Sequence, residues 1–566
     1  MSKTRRSPIA AAPIVLISLL VLPVAAGLWA TMSPVLRPIS GQDQGAFMSL
    51  WSWNGLWPAI RLSLVTGLAA TLIGLAMTTA LFALFQGHRI FRVFLRLVAP
   101  FLAVPHATAA LALTFILAPS GWIMRGVVTL FNALGIPISQ TPPDFITIND
   151  PGGLALIFGL VIKEVPFLVL MCVAAWPQCD APRRRLVASA LGYGRITGFW
   201  LTIWPVLYPQ LRLPIFAVLA YSMTTVDMAM ILGPSLPPSL AVQISKWITL
   251  PEPLYQGMAA AAAVVQLTLV AATLLVWRFL ELMGRAISRA QFQSGIRGLS
   301  LDGPIKFFGL VFGLVGFGVL IFGLLALGIW SIAGFWPYPD VLPQTYTPRV
   351  WAEAQSGVIK ATQNTVILAL LSTVPAVFLV LAVLQSEFLG KRTYRIQRII
   401  YVPLLVPQIT FLPGLYQLTL TAGISGQTLT VAFAHFIFVL PYVALTMGPA
   451  FRAWDIRYAM VASAMGASRK KIFWQVRLPM LLCPILISSA VGIATSVAQF
   501  LPSQLIGAGR IETLTTEAVA LTSGGNRRLI GTYGLVQSLF PAIVFGLALW
   551  VPTLTYRNRR TLRAPK

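Results

Sequence analysis

The chain has 566 residues, of which 57% are hydrophobic and only 10% charged, and its mean hydropathy is +0.81. A soluble globular domain carries about 25% charged residues, so this balance excludes one and indicates a polytopic membrane protein. The net charge of +26 does not mark a nucleic-acid binder, because the bases flank apolar runs and build no separate basic domain.

The first apolar run, 9–31, follows Lys3, Arg5 and Arg6. It is too long for the apolar region of a secretory signal and reads as an uncleaved first membrane helix. Further stretches reach the ~20 apolar residues that cross a hydrocarbon core. They are 60–85, 97–118, 153–176, 210–232, 256–277, 307–334, 364–386, 399–420, 428–450, 481–501 and 530–555. Runs such as AALALTFIL lack the alternation of barrel strands. The expected fold is an all-α polytopic membrane protein of about 12 transmembrane helices. Cys172, Cys179 and Cys483 form neither a disulfide framework nor a zinc spacing.

Lys and Arg orient these spans. The two termini and the 2–3, 4–5, 6–7, 8–9 and 10–11 loops hold 30 of the 41 bases. The opposite loops hold Arg37, Arg125, Lys246, Arg349, Lys360, Arg510, Arg527 and Arg528. The positive-inside rule then places both termini in the cytoplasm.

The chain is also duplicated. Pro105 in LAVPHAT matches Pro407 in LLVPQIT, an offset of 302, while VASALG at Val187 and VASAMG at Val461 are offset by 274. The 28-residue difference is extra chain in the first half, assigned to the loop after Pro119 that contains LGIPISQTPPDFITINDPGG. Six spans per half give both halves the same orientation, a parallel repeat with its axis along the membrane normal. The halves are 1–280 and 306–566, joined by a basic cytoplasmic linker, 281–305.

The repeated phrase lies in two basic loops, 180–205 and 455–479. Asp180 and Asp455 are candidate N-caps, and Gly192 and Gly466 fit the left-handed residue that ends a helix. Pro205 and Pro479 each follow their glycine by 13 residues, and Arg195 and Arg469 each follow by three. Ala188, Ser189 and Ala190, matched by Ala462, Ser463 and Ala464, are small residues that admit another backbone. They suit docking onto a soluble partner or tight packing on the membrane domain, and the duplication favours docking.

The loops resemble the EAA loop of importer-type ABC transporter permeases. That pattern is Glu-Ala-Ala, three residues, Gly, then a segment ending Ile-x-Leu-Pro. Ala188 with Gly192 and Pro205, and Ala462 with Gly466 and Pro479, match it, whereas the Glu position holds Leu186 and Met460. Two cores in one chain resemble the fused permeases of the ferric iron, thiamine and YnjC-type importers. The resemblance implies a type I (MetI-like) importer fold in a bacterial inner membrane. It implies two copies of a cytoplasmic ABC ATPase on the two loops, and a periplasmic substrate-binding protein on the other side. ATP and Mg would belong to the partner ATPase. The chain has no GxxxxGK[ST] phosphate loop, no nucleophile elbow and no HExxH, so a permease rather than an enzyme is expected.

Polar groups within the spans are candidates for the translocation pathway. Glu164 lies beside Lys163 in KEVPF, two residues from Pro166. Asp227 falls in span five, with Gln499 as its counterpart, where the family often has an acidic–aromatic pair. His106 beside Pro105 faces Gln408 beside Pro407 across the pseudo-axis, as a pathway residue or an interhelical hydrogen bonder. Arg61 and Arg212 are expected to snorkel towards the interfaces. The alternative architecture is a twelve-helix ion-coupled transporter. It predicts an acidic residue in the 2–3 loop, and FQGHRIFRVFLR has none.

Overall fold

Long apolar runs leave the backbone one way to satisfy its N–H and C=O groups away from water, which is to bond within a helix. The computed structural model describes residues 11–36, 45–85, 91, 104–136, 141–294, 302–390 and 399–555. The basic termini, Arg37, the stretch 86–103 apart from Phe91, and segments 137–140, 295–301 and 391–398 lie outside the described residues. Much of the charge asymmetry falls there, as do the start of the third expected span and the body of the 2–3 loop.

The first half contributes α1 (Ala12–Met32), α2 (Leu56–Phe85), α3 (His106–Leu117), α4 (Trp122–Ala133), α5 (Leu154–Ala175), α6 (Ala181–Ala190), α7 (Trp204–Thr224), α8 (Asp227–Leu232) and α9 (Pro253–Ser294). The second contributes α10 (Asp302–Ile332), α11 (Arg349–Phe388), α12 (Gln408–Thr421), α13 (Thr428–Arg452), α14 (Arg457–Ala464), α15 (Leu482–Val497), α16 (Leu501–Gly507) and α17 (Arg527–Thr555). Among the described residues, nine helices are long and apolar enough to cross a membrane. A tenth span arises if Arg469–Met480 and Leu482–Val497, bent by 71°, count together. The other two expected spans are α10, with the shorter apolar stretch Gly318–Ile332, and α12, with 14 residues.

The packing repeats with the sequence. In the first half α2, α5 and α7 pack mutually, and in the second α11, α13 and α15 do the same. The outer helices are exchanged. α1 lies along α12 of the other half, and α10 lies along α3. Gly27 meets Phe411 and Gly414, and a Cβ on Gly414 would overlap the Gly27 carbonyl and Thr31. The Gly414 N–H donates to the Thr31 hydroxyl at 2.8 Å. In the other crossing a Cβ on Gly323 would lie 2.8 Å from Cβ of Ala112, the residue 302 positions before Gly414. Lipid offers helices no hydrophobic drive to associate, so close backbone approach at small residues supplies the contact. A buried network adds to it: the Thr108 hydroxyl donates to Gln537 at 2.7 Å, and the Gln537 amide donates to Thr515 at 2.6 Å, joining α3 to α17.

The extra chain of the first half is not only loop. It begins with α4, whose Arg125 is buried. Its guanidinium donates to the carbonyls of Pro337 (2.8 Å) and Asp340 (2.6 Å) and lies over Trp336, while Trp122 donates to the Val341 carbonyl at 2.7 Å. The insertion therefore clamps segment 333–348 of the second half. Its far end is also ordered. The Asn149 side chain donates to the Gly233 carbonyl at 2.7 Å, and the Asp150 carboxylate accepts from the N–H groups of Leu154 and Ala155 at the start of α5.

Two expected boundaries move. The sixth span does not stop at 277: α9 runs 42 residues to Ser294 and takes in the first part of the expected linker. ELMGRAISRAQFQS holds no proline, and Glu, Leu, Arg, Ala and Gln sustain a helix beyond the apolar stretch. The fifth span is not continuous to 232. It breaks at Thr225, which is extended (ψ 135), and resumes at Asp227. Arg212 does not simply snorkel, because its Nε lies 2.9 Å from Glu281 of α9.

Gly414→Leu should therefore lower the thermal midpoint of the detergent-purified protein. The expected cost is that of overpacking, about 1–3 kcal/mol or more. Gly126→Leu, with nothing near its Cβ position, should leave the midpoint unchanged. Equal midpoints would show that the crossing tolerates a side chain.

Candidate docking loops and transport pathway

Each repeated phrase folds as a short helix closed by a left-handed glycine. Gly192 has φ 79 and Gly466 has φ 81. The Gly192 N–H donates to Ser189 and the Tyr193 N–H to Ala188, while Gly466 donates to Ser463 and Ala467 to Ala462. These paired bonds satisfy carbonyls that a helix end leaves without partners. The N-terminal expectation holds less well. Asp180 precedes α6 in a left-handed conformation (φ 43) without a side-chain cap. The Asp455 carboxylate accepts from the Arg457 N–H at 2.9 Å, but Asp455 lies two residues before the helix, and Ile456 holds the cap position.

After the glycine, each chain re-enters the bundle through a widened π-helical turn, Phe199–Ile203 or Ile472–Arg477. Pro205 and Pro479 lie just beyond. A proline ring crowds the carbonyl four residues earlier and removes an N–H, and widening the helix relieves both.

The small residues divide by position. Ala188 is buried against Gly198, where a glycine Cβ would lie 3.0 Å from it, so its size serves packing within this chain. Ser189, Ala190, Ser463 and Ala464 are exposed, and Ala462 is half-buried. The matched arginines also part company. Arg195 donates from Nε to the Ala83 carbonyl at 2.9 Å, whereas Arg469 is exposed.

Within the bundle, residues from several elements meet. His106, the first residue of α3, has Nε2 3.7 Å from the Glu164 carboxylate of α5. Its ring lies 4.8 Å from that of Tyr221 on α7. The Tyr221 hydroxyl lies 3.5 Å from Asp227, and the Thr225 hydroxyl donates to Asp227 at 2.9 Å. Segment Val402–Leu405 of the second half packs against α7. Lys163 turns away and donates to the Val104 carbonyl. Consecutive residues on a helix face different ways, so the two charges serve separate partners.

Gln408 opens α12 as His106 opens α3, but it makes no hydrogen bond to His106, whose partners lie in its own half. Gln499 lies in the break between α15 and α16, as Asp227 borders the break between α7 and α8. Helix starts pair Asp227 with Leu501, at the same offset of 274 as the two glycines, so Gln499 corresponds to Thr225.

Sequence reasoning missed His435. Its buried ring lies 2.8 Å from the Ser496 hydroxyl on α15 and 2.9 Å from the Ser503 hydroxyl on α16, bridging the break in the second half. The signal was a lone histidine in an apolar span, AFAHFIFVLPY, and the first half has Leu160 at that place. Among the described residues no group of three or more His, Cys, Asp or Glu is placed to hold a metal ion.

His435→Leu should loosen 498–507, since it removes both hydrogen bonds across the break, each worth about 0.5–1.5 kcal/mol, while Ser503 keeps the Gln499 carbonyl and Ser496 keeps Ser372. Faster maleimide labelling of a cysteine at Gln499 in that variant is the expected readout. An unchanged rate would assign the break to backbone geometry alone.

Comparison with known proteins fits this arrangement. Residues 365–558 match the family described as binding-protein-dependent transport system inner membrane component. The inner membrane ABC transporter permease protein YnjC of Escherichia coli (strain K12) is 30% identical over 551 residues, covering 95% of this chain and 98% of that protein. The spermidine/putrescine transport system permease protein PotC of Haemophilus influenzae is 24% identical over 183 residues, 32% of this chain and 68% of PotC. The molybdenum transport system permease protein ModB of Mycobacterium tuberculosis is 25% identical over 173 residues, 27% of this chain and 64% of ModB. None of these supports an ion-coupled transporter. With a full-length relative, a matching family domain and a duplicated all-helical bundle in agreement, the chain belongs to the family of ABC transporter permeases and is a multi-pass inner-membrane protein.

Proposed function

We propose that this permease imports a small solute, delivered by a periplasmic binding protein, by alternating access driven by two copies of a separate cytoplasmic ABC ATPase. ATP and Mg bind on that partner, and this chain supplies no catalytic group. Both termini and the linker lie in the cytoplasm with the two docking loops, one from each repeat.

One observation carries the reading. At three matched positions both short helices present large apolar side chains outward: Leu186 (70% exposed) and Met460 (56%), Val187 (52%) and Val461 (61%), Leu191 (53%) and Met465 (81%). The rest of the first loop is rich in Arg and that of the second in Arg and Lys, so these side chains are an apolar patch in a basic setting. A patch repeated on both halves suits a partner with twofold symmetry. The leucine and methionine at the family's glutamate position make this contact hydrophobic rather than ionic.

The solute would pass the polar cluster at the broken spans. Glu164 and Asp227 place two carboxyl groups there, and Asp227 is met by the hydroxyls of Tyr221 and Thr225.

Pull-down of the full chain in detergent with ATP and vanadate should recover a soluble ATPase, and recovery of none would end this reading. Gly466→Val should then abolish uptake while the protein still reaches the membrane. The space around Gly466 is open, so the effect is strain at φ 81, about 1–3 kcal/mol, and not a clash. Normal uptake in that variant would show that the turn does not transmit movement. Asp227→Asn should weaken uptake of a cationic solute several-fold without reducing assembly. Unchanged uptake kinetics would remove Asp227 from the pathway.

A further inference from the structure

Sequence spacing pairs Arg195 with Arg469, and the structure separates them. Arg195 is bound to its own bundle through the carbonyl of Ala83, in the last turn of α2. Arg469 projects from the second loop, exposed. Eight residues further on, Arg477 is 3% exposed, and its guanidinium holds three pieces of chain. Nη1 donates to the Gln385 side chain at 2.8 Å, in the last turn of α11. Nη2 donates to the Phe451 carbonyl at 3.0 Å, at the end of α13. Its plane lies over Phe388 (4.2 Å), Phe451 (5.2 Å) and Trp454 (5.4 Å). Trp454 immediately precedes the docking loop, and Arg477 ends the π-helical turn near its close.

Gln385 is the counterpart of Ala83 by the repeat offset of 302. Both arginines therefore reach the same place in their own half, the cytoplasmic end of the second span by the charge-based orientation. One comes from the start of the re-entry segment and the other from its end. Ile203, buried at the position of Arg477, leaves the first half without a cation there.

We propose that Arg477, and not Arg469, is the positioning residue that couples the second docking loop to its helix bundle, as Arg195 does for the first. The physical basis is rigidity. A loop moved by a partner transmits movement only if it is fastened to the spans that must move. A planar guanidinium fixes direction by two divergent hydrogen bonds and a stack, where a single ammonium would not. The exposed Arg469 has no such grip. This inference rests on the docking reading, and its test separates the two.

The assay uses the full chain with the ATPase that co-purifies, in nanodiscs, carrying Gln499→Cys. Maleimide labelling of that cysteine is compared before and after trapping with ATP, Mg and orthovanadate. Arg477→Met should keep the ATPase bound and hydrolysing, but shrink the vanadate-dependent change in labelling by at least about fivefold, the low end of ordinary coupling energies. Arg195→Met should behave likewise, since both loops must move for the pathway to switch. Arg469→Met should respond as the parent does. Arg477→Lys keeps a cation over the rings without the two-armed bridge and should give an intermediate response.

A full response in Arg477→Met, a silent Arg195→Met, or loss of response in Arg469→Met would overturn the assignment. If Arg477→Met does not fold, the lysine variant decides, and a full response there overturns it. A parent chain that binds no ATPase would instead refute the docking reading.

Discussion

Two membrane helices can approach backbone to backbone only where a glycine faces a glycine, a methyl group or bare backbone, and this constraint joins the two halves. Gly27 against Gly414 fastens the first helix of one half to the third span of the other. Gly323 against Ala112 repeats the crossing in the opposite sense. Each half thereby lends its first helix to its twin. Neither half then has a complete outer layer of its own, which is one physical reason for a fused chain to keep both copies. The exchange also leaves the inner triangles, α2–α5–α7 and α11–α13–α15, as the elements that carry the docking loops at one end and the broken spans at the other.

Breaking a helix in hydrocarbon exposes N–H and C=O groups that lipid cannot satisfy, so each break needs local polar partners. The halves answer this differently. In the second, His435 bridges Ser496 and Ser503 across the break. In the first, Asp227 collects the hydroxyls of Thr225 and Tyr221, and the insertion adds a tie where Asn149 reaches Leu232 and Gly233. One break is held by an imidazole ring between serines and the other borders a pair of carboxyl groups. The polar groups at the two breaks are therefore unlike, and a solute following the proposed pathway would meet the carboxyl groups on one side.

What was legible in the sequence follows from which signals are local. Span positions came from apolar length, and the docking helices from a phrase repeated with its glycine and proline. Both are properties of short windows. The break in span five was not legible, since AYSMTTVDMAMILG is apolar enough to read through and only packing shows that Thr225 is extended. Arg125 looked like one external base among eight, yet it is buried between two carbonyls and an indole contributed by Trp336, Pro337 and Asp340 of the other half. Gln408 and His106 matched in register but diverged in partners, because equivalent positions in a repeat share backbone geometry and not neighbours.

The same divergence explains the loops. A homodimer would have to use one sequence for both docking helices and both anchors. A fused chain is free of that requirement and needs only to preserve where each loop is fastened. The place is conserved between the halves, at Ala83 and Gln385, while the arginine that reaches it has moved from three residues after the glycine to eleven. Neither position suffices for the other half. Ile203 fills the site where a cation would sit in the first loop, and Arg469 is turned outward in the second. The proposed coupling needs only the mechanical connection between loop and bundle, so a motif shared by spacing identifies the loop, and burial identifies the residue that holds it.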